Sequence, residues 1–254
     1  MTTVSDAATR LRLGHEPFLA RDVEGRRILL HACCAPDATL PLGLWGKLAR
    51  ELAVLFYNPN IHPREEYVRR LEDMRLVAGE WETPLIEGRY LQDEDDAVPD
   101  GLASHPEAAG EASVAAVERL PAMVTKALRG GDVDETLDRM RPFAEEPEGG
   151  ARCELCFGLR LTRTAAMAHR LGFDAFATTL TISPHKNTDM VNALGQKAAD
   201  RFGVDYIWTN FKRREGFKRS IIESHRLGLY RQTYCGCIYS QGKQPQAATS
   251  AQRQ

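Results

Sequence analysis

The chain has no run of eighteen consecutive apolar residues, and its first thirty residues hold no apolar core behind a basic start. A membrane-spanning helix and a secretory leader are therefore not expected, and the expected location is the cytoplasm, with no membrane partner. It has no cysteine outside three close pairs, Cys33-Cys34, Cys153-x-x-Cys156 and Cys235-x-Cys237. In a reducing compartment this argues against structural disulfides, and adjacent cysteines close only a strained ring with each other. There is little net charge, −2 for the whole chain, which excludes a uniformly basic nucleic-acid binder. The segment CCAPDA, behind the first apolar run, contains no glycine. A backbone cradle for nucleotide phosphates is therefore missing, and ATP use is not expected.

The charge that is present is unevenly spread. Residues 87–148 carry sixteen Asp or Glu against six Lys or Arg, so the rest of the chain is at +8. Residues 205–231 hold seven basic side chains against three acidic. A basic body with an acidic surface insertion, about residues 92–148, fits this distribution.

Short apolar runs alternate with helical periodicity. RILLHA (27–32) reads as a buried strand, and Leu40, Leu44, Leu48 and Leu52 at a spacing of four read as the following helix. AVLFYN (53–58) and TPLI (83–86) read as further strands around a helix with Tyr67, Leu71, Met74 and Ala78 on one face. Helical stretches near 111–129 and 132–143 fall in the insertion. Then come a helix face of Phe157, Leu161, Thr164, Ala168 and Leu171, the strand FDAFATTLT, a helix near 188–202, the strand YIWTN and a helix near 215–228. The expected fold is α/β: a parallel sheet with right-handed crossovers and ligands at the carboxyl ends of its strands. One domain over 27–240 is expected, behind an extension at 1–26 and before a disordered tail at 241–254.

Six thiols, expected on three loops, exceed what one tetrahedral ion takes. Four would hold an iron–sulfur cluster, which leaves two thiols and the carboxylate of Asp37 for a second metal or for redox work. A structural zinc site is the plain alternative for Cys-x-x-Cys with two further cysteines. Such sites favour peripheral ribbons, whereas Cys33-Cys34 sits at the ligand-binding edge of the expected sheet. Paired thiols also suit persulfide transfer, and a zinc-stabilised RNA-binding module would account for cysteines plus a basic run.

Five segments, LLHACCAPDAT, FYNPNIHPREEY, EGGARCELCFGLRL, TTLTISPHKN and LYRQTYCGCIYS, together resemble the QueH-type epoxyqueuosine reductases over about residues 27–240. All six cysteines fall within three of them. The resemblance implies a fold like that of the PP-loop ATPases (HUP-type) and a cobalamin-independent reduction of epoxyqueuosine to queuosine at the wobble position of tRNA. It also implies a [4Fe–4S] cluster with a further mononuclear iron, and a low-potential electron donor of unidentified nature.

Removing an epoxide oxygen as water takes two electrons, two protons and an electrophile, which a redox cluster and a Lewis-acidic iron supply. Cys33, Cys34, Asp37, Cys153, Cys156, Cys235 and Cys237 are the expected metal ligands. With Asp37, the catalytic candidates are Tyr57, His62, His185, Lys186 and Tyr234, as proton donors in loop motifs. His31 is expected to pack beneath the loop, and Asn58 and Asn60 to cap or bind. For tRNA phosphates and splayed bases the candidates are Lys212, Arg213, Arg214, Lys218 and Arg219, in a run interleaved with Phe217. Arg152, Arg160 and Arg231 flank the cysteine motifs, and Arg152 and Arg231 join the tRNA candidates.

Overall fold

Residues 27–31 form the first strand because both faces of that segment are covered; only Arg27 at its start keeps partial exposure. In a computed structural model describing residues 16–88 and 132–241, this strand is the middle of a five-stranded sheet. The strands are β1 (Arg27–His31), β2 (Glu51–Phe56), β3 (Leu85–Glu87), β4 (Ala175–Thr178) and β5 (Asp205–Tyr206). All neighbours are parallel, in the order β3-β2-β1-β4-β5, and Leu30 lies opposite Val54 on one side and Ala177 on the other. The helices are α1 (Ala35–Trp45), α2 (Arg64–Glu80), α3 (Asp132–Met140), α4 (Ala151–Arg170), α5 (Thr188–Phe202) and α6 (Gly216–Arg226). None of the described helices is long and apolar enough to cross a membrane.

The period-two alternation of β1 divides the core. Leu30 packs with Trp45, Val54, Met74 and Phe211 on the face covered by α1 and α2. Leu29 packs with Leu55, Leu161, Ala165, Phe176 and Val191 on the face covered by α4 and α5. The chain leaves β1 towards β2 and β3 on one side and returns to β4 and β5 on the other. Connections diverging from adjacent strands open a crevice at their carboxyl ends, here between β1 and β4, and such switch points are where open α/β sheets take their ligands.

Several boundaries differ from the sequence expectation. The leucine periodicity overran its helix: α1 ends at Trp45, and Leu52 belongs to β2, where both helical and strand readings satisfy an apolar position. β4 stops at Thr178, whose hydroxyl accepts the Leu180 N–H and starts a 3₁₀ turn at Thr179–Ile182. Only Tyr206 of YIWTN lies in a strand, although Ile207 still donates to the Phe176 carbonyl at 2.9 Å. Residues 16–26 are part of the packed unit, since Phe18 meets Trp45 edge-on at 5.4 Å and Val23 is buried. The expected helix at 111–129, most of the acidic insertion and the tail beyond residue 241 lie outside the described residues.

Candidate metal centre

Cys33 and Cys34 occupy the crevice. Cys34 is the extended residue that precedes α1, and Pro36 sits in the first turn, where a missing N–H costs nothing. That turn points Asp37 back at the two thiols. One ligand atom from each of Cys33, Cys34 and Asp37 lies within 4.8 Å of the other two, and all three residues are buried. The Cys33 thiol faces Asp37 Oδ2 at 3.6 Å and Thr179 Oγ1 at 3.8 Å. Beneath them His31 is fully buried, its Nε2–H directed at the Tyr57 carbonyl at 3.2 Å and its Nδ1 at the Thr178 hydroxyl at 2.9 Å. Burial, reinforced by nearby Arg160, pushes its pKa down to about 3, so the ring is a neutral floor.

Three acids confined this closely cannot all ionise without a cation. The hydrogen bond from Cys34 holds the Cys33 thiol below its usual range, with Lys186 and Arg160 assisting against burial. Burial, then the interaction with Cys33, pushes Cys34 up. Burial and the Cys33 charge push Asp37 up to about 7. A buried set of two thiols and a carboxylate that resists further ionisation suits a bound metal ion, whose charge replaces the retained protons.

The other four cysteines come from α4 and the C-terminal loop. Cys153 and Cys156 lie on the helix rather than in a turn, because α4 begins at Ala151, directly after Gly150. The preceding Gly149 has φ of +92° and aims its N–H at Cys153 Sγ, 3.2 Å away. Cys153, Cys156, Cys235 and Cys237 line one cleft together with Cys33. Burial raises the thiol pKa of Cys153 and Cys237, and that of Cys156 to about 11, with the neighbouring cysteines adding to the effect. Among the described residues only Cys33, Cys34 and Asp37 bring three ligand atoms within 4.8 Å of one another; the four further thiols share the cleft as soft donors, which favour a soft metal.

Gly236 makes the Cys-x-Cys turn possible. Its φ is +98°, and a Cβ there would stand 2.7 Å from Ile61 Cγ1 and 3.1 Å from Ile61 Cα. Gly236→Ala is expected to cost roughly 1–3 kcal/mol and to lower the metal bound per chain. Urea unfolding and metal analysis of the variant test this; an unchanged midpoint and metal content would show that the loop adapts. Arg70 fastens the same loop from below, donating to the carbonyls of Tyr234 at 3.0 Å and Cys235 at 3.3 Å while ion-paired to Glu66.

The cleft has about 660 Å³ of free space, including its open mouth. Its cations are Arg160, Lys186, Arg70 and Arg152. Arg160 is buried, held by Asn58 Oδ1 at 2.7 Å, with Nη1 3.9 Å from Cys156 Sγ. Asn58 is itself fixed by donating to the Ala32 carbonyl at 2.9 Å. Burial disfavours the charge on Lys186, yet Cys33, Asp37 and Cys34 outweigh it and keep the ammonium above its usual range.

Of the candidate proton donors, His185 and Lys186 line the cleft and the others do not. Tyr57 is buried, with Arg163 over its ring at 5.6 Å. Tyr234 directs its hydroxyl to the His62 carbonyl, and His62 is buried in the loop that receives the Gly236 carbonyl on its own N–H. These residues build the wall.

The basic candidates divide in the same way. Arg152 turns inward, its Nη1 within 2.6–3.0 Å of the carbonyls of Phe143, Ala144 and Glu146, so it ties down the segment before α4 instead of meeting a phosphate. Lys212 donates to the Lys186 carbonyl at 2.6 Å. Arg214 and Lys218 pair with Glu16 and Glu215 at the surface, Arg219 is exposed, and Arg213 is partly so. Arg231 lies over the Phe217 ring at 5.7 Å and donates to Ser224.

Gln232, Arg70 and Met140 are among the lining residues to which the sequence pattern assigned no role. Gln232 stands three residues before Cys235 inside LYRQTYCGCIYS, and Arg70 is the fourth residue after Glu66 on α2, a spacing that also describes an ordinary solvated face. Met140 is fully buried against the cleft, so the end of the acidic segment is not wholly a surface excursion.

Comparison with known proteins agrees with the site. The profile of the family described as epoxyqueuosine reductase QueH matches residues 28–131 and 107–243. The chain is similar to the epoxyqueuosine reductase QueH of Streptococcus pyogenes serotype M1, 35% identical over 84% of this chain and 69% of that protein. It is 32% identical to that of Staphylococcus epidermidis over 88% of this chain and 80% of the relative, and 29% identical to that of Thermotoga maritima over 84% and 89%. The chain therefore belongs to the QueH family of epoxyqueuosine reductases.

Proposed function

We infer that this chain is an oxidoreductase that converts epoxyqueuosine in tRNA to queuosine, the final step of queuosine biosynthesis. The observation that carries the reading is the convergence of five thiols on one cleft at the sheet's switch point, with Cys34 and Asp37 grouped around Cys33, in a chain of this family. The reaction consumes an epoxide, two electrons and two protons and yields an alkene and water, so the electrons must enter from a low-potential donor.

Cys153, Cys156, Cys235 and Cys237 would hold a [4Fe–4S] cluster, and Cys33, Cys34 and Asp37 a mononuclear iron. When bound, these groups supply single-electron transfer and an electrophile for the departing oxygen. The chain's own part is to bind, orient and protonate. Lys186, at the edge of the thiol–carboxylate trio, and His185, at the mouth of the cleft, are the proton sources that the layout favours. Arg160 places a fixed cation between Cys33 and Cys156 and offsets the negative charge that thiolates bring into a buried site. Lys212, Arg213, Arg214, Lys218, Arg219 and Arg231 form the tRNA-facing surface, where weak exposed ion pairs exchange readily for phosphates. One catalytic unit bears these functions, with residues 92–148 as an insertion in it.

The test is anaerobic. Protein reconstituted with iron and sulfide is incubated with epoxyqueuosine-containing tRNA and a low-potential reductant, and the digested tRNA is searched for queuosine by mass spectrometry. Brown protein that forms queuosine, and loses the ability in Cys→Ala variants, supports the assignment. Iron-loaded protein that yields none, or protein that takes up only zinc and stays colourless, rejects it.

A further inference from the structure

Gln232 is placed between the metal-binding trio and the cleft. Its Nε2 lies 2.9 Å from Cys34 Sγ, a hydrogen bond that reaches from the C-terminal loop to the start of α1 across 198 residues of sequence. Its other polar atom, Oε1, is buried and has no hydrogen-bond partner among the described residues, although the residue lines the cleft. Asn60, 2% exposed and also lining the cleft, has an Oδ1 in the same condition. An amide carbonyl buried without a donor costs on the order of 1–3 kcal/mol, so two of them on one cleft are acceptors that a molecule entering it can satisfy.

We propose that Gln232 is a positioning residue that acts at both ends of its amide: its N–H tunes and orients the Cys34 thiolate as a metal ligand, and its carbonyl, with that of Asn60, accepts from hydroxyl or amine donors of the substrate beside the reacting carbon. The inference rests on the proposed reductase reading for the identity of that substrate, but not for the contact with Cys34. A donor on sulfur withdraws electron density from it, which raises the energy of charge transfer from sulfur to metal and the reduction potential of the metal. Outer-shell partners of metal ligands are worth about 10–100-fold in affinity. The acceptor half acts on the substrate only, so its loss should appear in KM.

The probe is Co(II), titrated anaerobically into the metal-free, full-length chain while the sulfur-to-cobalt absorption is followed. The part of the signal missing from Cys33→Ala belongs to the trio. Gln232→Leu is expected to weaken that part about 10–100-fold and move its band to longer wavelength. Asn60→Ala is expected to leave the cobalt signal as in the wild type and to raise KM for epoxyqueuosine-tRNA several-fold with kcat little changed. Should the leucine variant lose its cooperative melting transition, Gln232→Ala gives the same reading. Unchanged cobalt affinity and band position in a folded Gln232 variant overturn the proposal, even if the wild type forms queuosine. A shifted band in a protein that forms no queuosine retains the Cys34 contact and overturns the reductase reading instead.

Discussion

Arg70→Met is expected to destabilise the metal-free protein by roughly 3–5 kcal/mol, the usual cost of stranding one member of a buried ion pair. The Arg70 side chain is 2% exposed and that of Glu66 10%, with Nη2 and Oε1 2.5 Å apart. Methionine fills much of the same volume, so lost packing is a minor part of the effect. The guanidinium does more than neutralise Glu66. It spans the Tyr234 and Cys235 carbonyls and stacks over the Tyr234 ring at 5.5 Å, so it is a polar link between α2 and the loop that carries two of the cysteines, nearer to them than the Tyr230 contacts. Loss of the link should lower the urea midpoint and also reduce iron retained after reconstitution. The carboxylate left behind still accepts from the Tyr230 hydroxyl at 3.0 Å, which supports only one of its oxygens. Adding Glu66→Gln to Arg70→Met is therefore expected to restore part of the stability and little of the iron retention, since only the stranded charge is removed. A single variant within about 1 kcal/mol of the parent would show the pair to be no stronger than a surface contact.

Arg70 also shows where sequence reading stops. An arginine four residues after a glutamate on an amphipathic helix is read as solvent-facing, and only the fold reveals that the C-terminal loop closes over it. The strand and helix alternation was legible because β1 and β2 are covered on both faces and carry near-continuous apolar runs, and so was the sheet that follows from it. Helix ends were less legible. α1 contains Pro41 and is buried on nearly all sides, so leucine spacing had no polar face to mark where it stopped. The cysteines announced the site by pairing alone, yet the pairs did not say that Cys153 and Cys156 begin a helix; that depends on the Gly149–Gly150 turn ahead of it. The proton-donor candidates were chosen as motif residues on loops. Tyr57, His62 and Tyr234 share that pattern with His185 and Lys186, and their difference lies in which way each loop turns its side chain. Placement of Arg152 follows the same logic: a basic residue beside a cysteine motif serves the carbonyls of Phe143, Ala144 and Glu146.

Asp37→Asn separates the two groups of ligands. The substitution keeps the size of the side chain and its position in the first turn of α1 while removing the anionic oxygen that lies within 4.8 Å of both Cys33 and Cys34 Sγ. A neutral amide is a weaker donor to a hard cation, and the trio loses one of its charges, so the mononuclear iron proposed for it should be lost first. The four cysteines of α4 and the C-terminal loop are untouched, and the brown chromophore should persist. Removal of an outer-shell partner alone costs about 10–100-fold, so loss of a direct ligand is expected to lower turnover by more than about 100-fold. The signature is a protein with cluster absorption close to the parent, about one iron fewer per chain, and almost no queuosine formed. Burial already holds Asp37 at about 7 in the metal-free protein, so replacing it with a permanently neutral group should not destabilise the fold at neutral pH. Any loss of activity in this variant then reflects the site and not unfolding, and melting temperature measured beside iron content makes that comparison directly. If the variant retains both its iron and its turnover, Asp37 serves only as a hydrogen-bond acceptor for Cys33, and the second metal must be sought among the cysteines alone.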